Sequence, residues 1–178
     1  MDLPLKEVPR YEYLLERARR YPALDPSAME AFLHLLHTSS DVFEAFSRVL
    51  AGHAISKGRF MVLILLNHDA DTPVNPADLA DRANVTRATM TGLIDTLERD
   101  GFVRRENAPD DRRMMLVRLT PRGRTFLDGM LPEYFRRVAA LMGRLSETER
   151  KTLVALMAKI EEAVPEICAG PPAPPVVT

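Results

Sequence analysis

Apolar positions recur at helical spacing along most of the chain, and the interruptions between the runs are short and polar. Tyr11, Leu14, Leu15 and Ala18 form a first amphipathic pattern that stops before Pro22. Pro26 opens a second run, with Asp25 placed to cap it. Met29, Phe32, Leu33, Leu36, Phe43, Phe46, Val49 and Leu50 then recur without Pro or Gly until about Ala51. At a rise of 1.5 Å per residue this predicts a helix about 38 Å long. One subunit of a small chain rarely covers such a helix by itself.

The middle of the chain is denser in start and stop signals. Ser56 opens a helix predicted from Lys57 to about Asn67, with Phe60, Leu63, Ile64 and Leu66 on its core side, and the stretch from Asp69 to Pro73 breaks it. Asn75-Pro76 is a cap followed by a proline at the first helical position, Asp78 favours the helix N-terminus, and Leu79, Ala80 and Ala83 face inward. Thr86 caps the next helix, predicted to run to about Asp100 before Gly101 ends it. Met90, Leu93, Ile94 and Leu97 define its buried side. The opposite side carries Ala88, Thr91, Gly92, Asp95 and Arg99, with Arg87 and Thr89 on the flanks. That outward face is small and hydroxylic in its first two turns, so another surface can approach it closely.

Two short β-rich stretches follow, Phe102 to Glu106 and Met114 to Leu119, joined by the turn signal Ala108-Pro109-Asp110-Asp111. Thr120-Pro121 repeats the cap-then-proline start of a long helix to about Leu141, in which Pro132 predicts a kink rather than a break. Ser146-Glu147-Thr148-Glu149 is a capping box for a last helix with Leu153, Leu156, Met157, Ile160 and Val164 on one side and Pro165 at its end. Gly170 to Thr178 holds four prolines and cannot build a core.

Helix, tight turn, helix and hairpin in this order make a winged helix-turn-helix, and the fold class is mainly α (α+β). The layout predicted is an N-terminal arm with a short helix over 1–25, a helical dimerisation region over 26–54 and 121–165, a winged helix over 55–120, and a disordered Pro-rich tail over 166–178. Charge adds one thing to this picture. The 178-residue chain has a net charge of -1, yet between Gly101 and Arg124 it carries seven arginines against three acids. The hairpin is a basic island in a neutral chain.

These words, above all Leu79 through Leu119 with Asp110-Asp111-Arg112-Arg113 and Leu119-Thr120-Pro121-Arg122-Gly123, resemble the MarR family of bacterial transcriptional regulators, over roughly Met29 to Val164. The resemblance implies a homodimer whose first long helix and last two helices form the dimerisation platform, with one winged helix on each side. It implies a sequence-specific regulator of double-stranded DNA, a repressor released by a small-molecule effector, acting on a pseudo-palindromic operator.

The helix after the turn is then the recognition helix. Its N-terminal part would reach base edges in the major groove, with half-sites roughly 34 Å apart. Thr86, Arg87, Ala88, Thr89, Thr91 and Gly92 are the candidate contacts: Arg87 can bond a guanine edge, and the threonines can bond phosphates or bases or meet a thymine methyl. The acids Asp95, Glu98 and Asp100 come later along the helix. The resemblance implies that Arg112 and Arg113 contact the minor groove or its phosphates from the wing, with Asp110 pairing with Arg112 to hold the tip. The bland readings are a solvated hairpin tip, and for Arg87 a salt bridge to Asp81 or another acid across the turn. Arg104, Arg105 and Arg118 lie on the strands, where about half of such arginines are only solvated.

For an effector, which the resemblance makes small and aromatic or anionic, the candidates are His34, His37 and Arg59, with Phe43 and Phe60 as walls. The alternative for the two histidines is an interface role. Ile55-Ser56-Lys57-Gly58-Arg59-Phe60 and the extra N-terminal helix look like a branch that includes urate-responsive members, but that branch's tryptophan is missing, since the chain has no Trp. No spacing completes a metal site around His34, His37, His53 and His68, and no cofactor is expected. No nucleophile with its base and no Gly-rich phosphate loop points to an enzyme. A winged-helix protein-interaction module that never touches DNA is the competing function. A single cysteine, Cys168, excludes an internal disulfide, and it reads as a bystander thiol or a redox group. With no long apolar run and no signal-peptide pattern, a cytoplasmic protein without a membrane partner is expected.

Overall fold

The computed structural model describes residues 8–68, 72–108 and 114–169, with side chains through Ile167. Two compact units divide the chain after Leu127. The first holds α1 (Tyr11–Arg20), α2 (Pro26–Gly52), α3 (Lys57–His68), α4 (Pro76–Arg82), α5 (Arg87–Arg99), the strands β1 (Val103–Asn107) and β2 (Met115–Leu119), and the start of α6 (Pro121–Met142). The second holds the rest of α6 and α7 (Glu147–Ala169). The expected elements are all present, in the expected order.

Asp25 caps α2: its Oδ1 accepts from the amides of Ser27 and Ala28 at 2.9 and 3.1 Å. The Ser27 hydroxyl bond and these amide bonds favour the carboxylate and lower its pKa. α1 lies against α2 and buries Leu14. An 82° bend then separates α2 from α3.

That corner is made by the backbone. The Ala54 amide donates to the Ala51 carbonyl at 3.0 Å and the Ile55 amide to Leu50 at 3.2 Å, with Ala54 at φ 54°. Such paired bonds around a left-handed residue form a Schellman stop, and the buried pair Leu50 and Ile55 supplies its apolar contact. The same stop recurs twice. After α4 the left-handed residue is Asn84 (φ 50°), with Asn84 bonded to Asp81 and Val85 to Ala80; after α5 it is Gly101 (φ 75°), with Gly101 bonded to Glu98 and Phe102 to Leu97. Glycine and asparagine bear this conformation easily, and alanine does not.

Phe60, Val62, Leu63 and Leu66 of α3 pack with Leu79 and Ala80 of α4, Met90, Ile94 and Leu97 of α5, and Val103, Val117 and Leu119 of the strands. Here the periodicity of α3 misled: Val62 is buried and Ile64 only half-buried. α3 touches α2, α4, α5 and β2, so it has no single core stripe. Leu93, expected in the core, is half-buried and sits against Gly58, where an added Cβ would lie 3.0 Å from Leu93 Cδ2. Ala83 is likewise half-buried.

β1 and β2 pair antiparallel, Val103 opposite Leu119 and Asn107 opposite Met115. A third rung was not foreseen. Val74 exchanges both backbone hydrogen bonds with Val117 at 2.9 Å, fastening the segment before α4 to the wing. One residue is too short a strand for any alternation to reveal.

Thr120 organises the other end of the wing. Its amide donates to the Phe102 carbonyl at 3.0 Å, its hydroxyl to the Gly101 carbonyl at 2.7 Å, and it accepts from the Gly123 amide at 3.0 Å. A Cβ on Gly123 would stand 2.2 Å from the Phe102 carbonyl oxygen, so only glycine fits. The Thr120-to-Gly123 word is therefore a joint between the stop of α5 and the start of α6.

α6 runs on through Pro132 as one helix. The capping box of α7 forms as expected, with the Ser146 amide donating to Glu149 Oε2 at 2.7 Å and the Glu149 amide to Ser146 Oγ at 3.3 Å. Its end is a correction: α7 continues through Pro165 to Ala169, so residues 166 to 169, assigned to the tail, are helical. Pro165 removes one helical bond, and the carbonyl it frees lies on an exposed stretch of the helix. The remainder of the tail lies outside the described residues. No single helix among the described residues is long and apolar enough to cross a membrane.

Candidate nucleic-acid interface

Asn75 and Thr86 cap the two helices of the helix-turn-helix. Asn75 Oδ1 accepts from the Ala77 amide at 2.8 Å, and Thr86 Oγ1 from the Thr89 amide at 3.1 Å. Asn84 makes the tight turn between them. The core side of α5 locks the helix in place, and Thr86, Arg87, Ala88, Thr89, Thr91 and Gly92 all lie on its exposed face.

The hydroxyls on this face are partly committed. Thr91 Oγ1 donates to the Arg87 carbonyl at 3.0 Å, so its proton is used within the helix. Thr86 and Thr89 share a hydroxyl contact of 2.9 Å, and a shared contact uses only one of two protons. The pair retains one O–H for an incoming acceptor. Gly92 would place a Cβ within 4 Å of nothing, so no internal packing requires it to be small. Arg87 makes no ion pair with Asp81 or any other acid among the described residues, which removes its bland reading.

The acids farther along α5 are each held by an arginine from another element. Arg105 of β1 reaches Glu98 at 2.5 Å and Asp95 at 2.6 Å. Burial opposes the Arg105 charge, but its bonds to Asp95 and Glu98 outweigh that and raise its pKa. Arg59 of α3 bonds Asp100 at the C-cap of α5. Arg104 and Arg118 flank Glu106 at 3.3 and 3.0 Å. Arg105 and Arg118 are thus tied to acids as structural partners, while Arg104 stays largely solvated at 60% exposure.

Asp110, Arg112 and Arg113, the expected wing contacts, lie outside the described residues. Most of the effector candidates are engaged within the chain. His37 lies 3.2 Å from Asp41, His34 is exposed on α2, and Phe60 is buried. Arg59 is the clamp on Asp100 just described. Phe43 is exposed and carries the Lys57 ammonium 3.7 Å from its ring centroid, a cation–π pair that periodicity cannot show because it joins two helices. Among the described residues, no group of three or more His, Cys, Asp or Glu side chains is placed to hold a metal.

Two open grooves flank the recognition helix. One is bounded by Ala80, Asp81, Asn84, Val85, Thr86 and Thr89. The other, of about 350 Å³, lies between α5 and the wing.

The MarR family profile matches residues 55–115. YetL of Bacillus subtilis strain 168, an HTH-type transcriptional repressor, is 36% identical over 160 residues, 90% of this chain and 96% of its own. The chain belongs to the MarR family. Among solved structures, the MarR family regulator Sco3205 of Streptomyces coelicolor, crystallised with DNA, matches with a TM-score of 0.73 at 24% identity, over 79% of this chain and 89% of that one. That likeness is one of fold. BpsR of Bordetella bronchiseptica, whose DNA binding is regulated by 6-hydroxynicotinic acid, matches with a TM-score of 0.61 at 27% identity, over 72% of this chain and 96% of its own. This MarR chain is accordingly a transcriptional regulator of the winged helix-turn-helix type. Its relatives are regulators and not enzymes.

Proposed function

We propose that this protein is a homodimeric, sequence-specific repressor that binds a pseudo-palindromic site in double-stranded DNA and is released by a small aromatic or anionic effector. One observation carries the reading: the first two turns of α5 are exposed and leave Arg87 and one hydroxyl proton of the Thr86–Thr89 pair unspent, while the acids behind them are ion-paired with Arg105 and Arg59. Such a face can enter the major groove without presenting free carboxylates to phosphates. The repressor YetL supports the sign of the effect. BpsR supports control of binding by a small molecule.

The dimer rests on α7. Val154, Leu156, Met157, Ile160, Val164 and Ile167 are all exposed, and none of the described residues of α7 is buried. A helix this apolar needs a partner surface, and a second copy with the helices of 26–54 and 121–165 as platform supplies one. The winged helices over 55–120 would then address two half-sites about one helical turn apart. Effector binding acts only if it distinguishes the DNA-competent arrangement from another, and Phe43 with Lys57 is a group that an aromatic anion can engage.

Fluorescence anisotropy with duplexes from the gene's own surroundings, titrated over salt, tests this. Binding should occur at two chains per duplex, with log K falling by about 0.9 per phosphate neutralised as log salt rises. A monomer in sedimentation, or no binding to any fragment at low salt, would overturn it.

A further inference from the structure

The groove between α5 and the wing has an unusual lining. Arg87 and Thr91 come from the recognition helix, Met114 and Met115 from the wing, and Asn75 and Pro76 from the start of α4. No carboxylate is among these residues, although Asp95 and Glu98 lie in the next turns of α5 and Asp100 caps its end. Met114 and Met115 are 42% and 40% exposed, so two thioethers stand in water beside an unpaired guanidinium. Nothing inside the described chain accounts for that combination. A hairpin evolved only for solubility would place polar groups there.

Topology restricts what can fill the space. With a recognition helix in the major groove and a wing over the minor groove, the strand separating the two grooves must cross between helix and wing. That strand offers a repeating pair of surfaces, an anionic phosphate and an apolar deoxyribose edge. The groove offers the complementary pair. Because the Thr91 proton is spent on the Arg87 carbonyl, Arg87 is the cationic donor available on the helix side.

We propose that this groove seats one sugar–phosphate unit of the bound strand, with Arg87 bonding the phosphate and Met114 and Met115 packing on the deoxyribose. The proposal rests on the DNA-binding reading above and deepens it: Arg87 positions the protein on the backbone and does not read a base. Met114 and Met115 are the nonpolar half of the same contact.

The probe is a duplex selected by the wild-type protein from a random-sequence pool, carrying a neutral methylphosphonate at one backbone position at a time. One position per half-site should weaken wild-type binding about tenfold and leave Arg87→Ala, already weakened, nearly unaffected. Arg87→Ala should also lower the salt slope by about one per half-site and weaken all sequences alike. The double variant Met114→Ser/Met115→Ser should weaken binding several-fold without changing base preference, with an unchanged circular dichroism spectrum showing that it folds. Loss of preference at a single base pair in Arg87→Ala, additive effects of Arg87→Ala and every methylphosphonate, or wild-type affinity in the methionine variant would each overturn the proposal. If the wild-type protein selects no duplex at all, the DNA-binding reading itself falls, and the groove assignment falls with it.

Discussion

Arg105 binds Glu98 twice: its backbone amide donates to Oε1 at 2.9 Å and its Nη1 to Oε2 at 2.5 Å. A bidentate contact using one main-chain and one side-chain donor fixes both position and orientation, so the first strand of the wing is registered against the second half of the recognition helix. With Nη2 on Asp95, one guanidinium ties the strand to two carboxylates of α5.

Arg105→Met should therefore do more than remove a surface charge. The side chain is 23% exposed, so a loss of about 1 to 2 kcal/mol is expected in urea unfolding. Adding Asp95→Asn and Glu98→Gln should restore part of the stability, since no unpaired carboxylate then remains. The wing should stay misaligned in that triple variant, seen as faster amide exchange in β1.

Gly123→Ala is the most severe single change expected in the reading head. The added methyl would collide with the Phe102 carbonyl, which is backbone and cannot rotate away. Destabilisation of about 2 to 3 kcal/mol should appear as a lower urea midpoint.

Ala54→Gly should stabilise the protein by about 0.5 to 1 kcal/mol, because relief of the left-handed conformation exceeds the entropy that glycine adds to the unfolded chain. Gly101→Ala, at φ 75°, should cost about 1 kcal/mol. Thermal melts of the two variants should move in opposite directions.

Gly92→Ala separates folding from function. The new Cβ meets nothing in the chain and replaces a poor helix former, so stability should rise by about 0.5 to 1 kcal/mol. Affinity for a selected duplex should fall if this face meets DNA closely; unchanged affinity would place the contact elsewhere on α5.

Glu149 gives a pH prediction. The Ser146 amide and then the Ser146 hydroxyl lower its pKa below the ordinary 4.5, so its contribution is complete above that value and is lost as the pH falls through the depressed one. In Glu149→Gln this segment of the acid-unfolding curve should flatten, with melting near neutral pH lower than in the wild type.

The caps were legible because Asp25, Asn75, Thr86 and Ser146 act on amides two or three residues away. The exposed face of α5 was legible because the helix has one core stripe and leaves the rest outside. What remained hidden is non-local: the Val74 rung, the clamp of Arg59 on Asp100, the seating of Arg105, and Lys57 on Phe43 each join groups from different elements, and no spacing in the chain encodes them. Arg59 shows the cost. A polar residue on an apolar helix reads equally well as a pocket lining or as a tie, and only the position of Asp100 decides.

The three Schellman stops at Ala54, Asn84 and Gly101 place the corners of the reading head in main-chain hydrogen bonds. Side chains on the outer face of α5 contribute nothing to those corners. Substitutions at Ala88, Thr89 or Gly92 can then accumulate without disturbing the frame that presents them, so this face can diversify while the architecture beneath it is inherited intact.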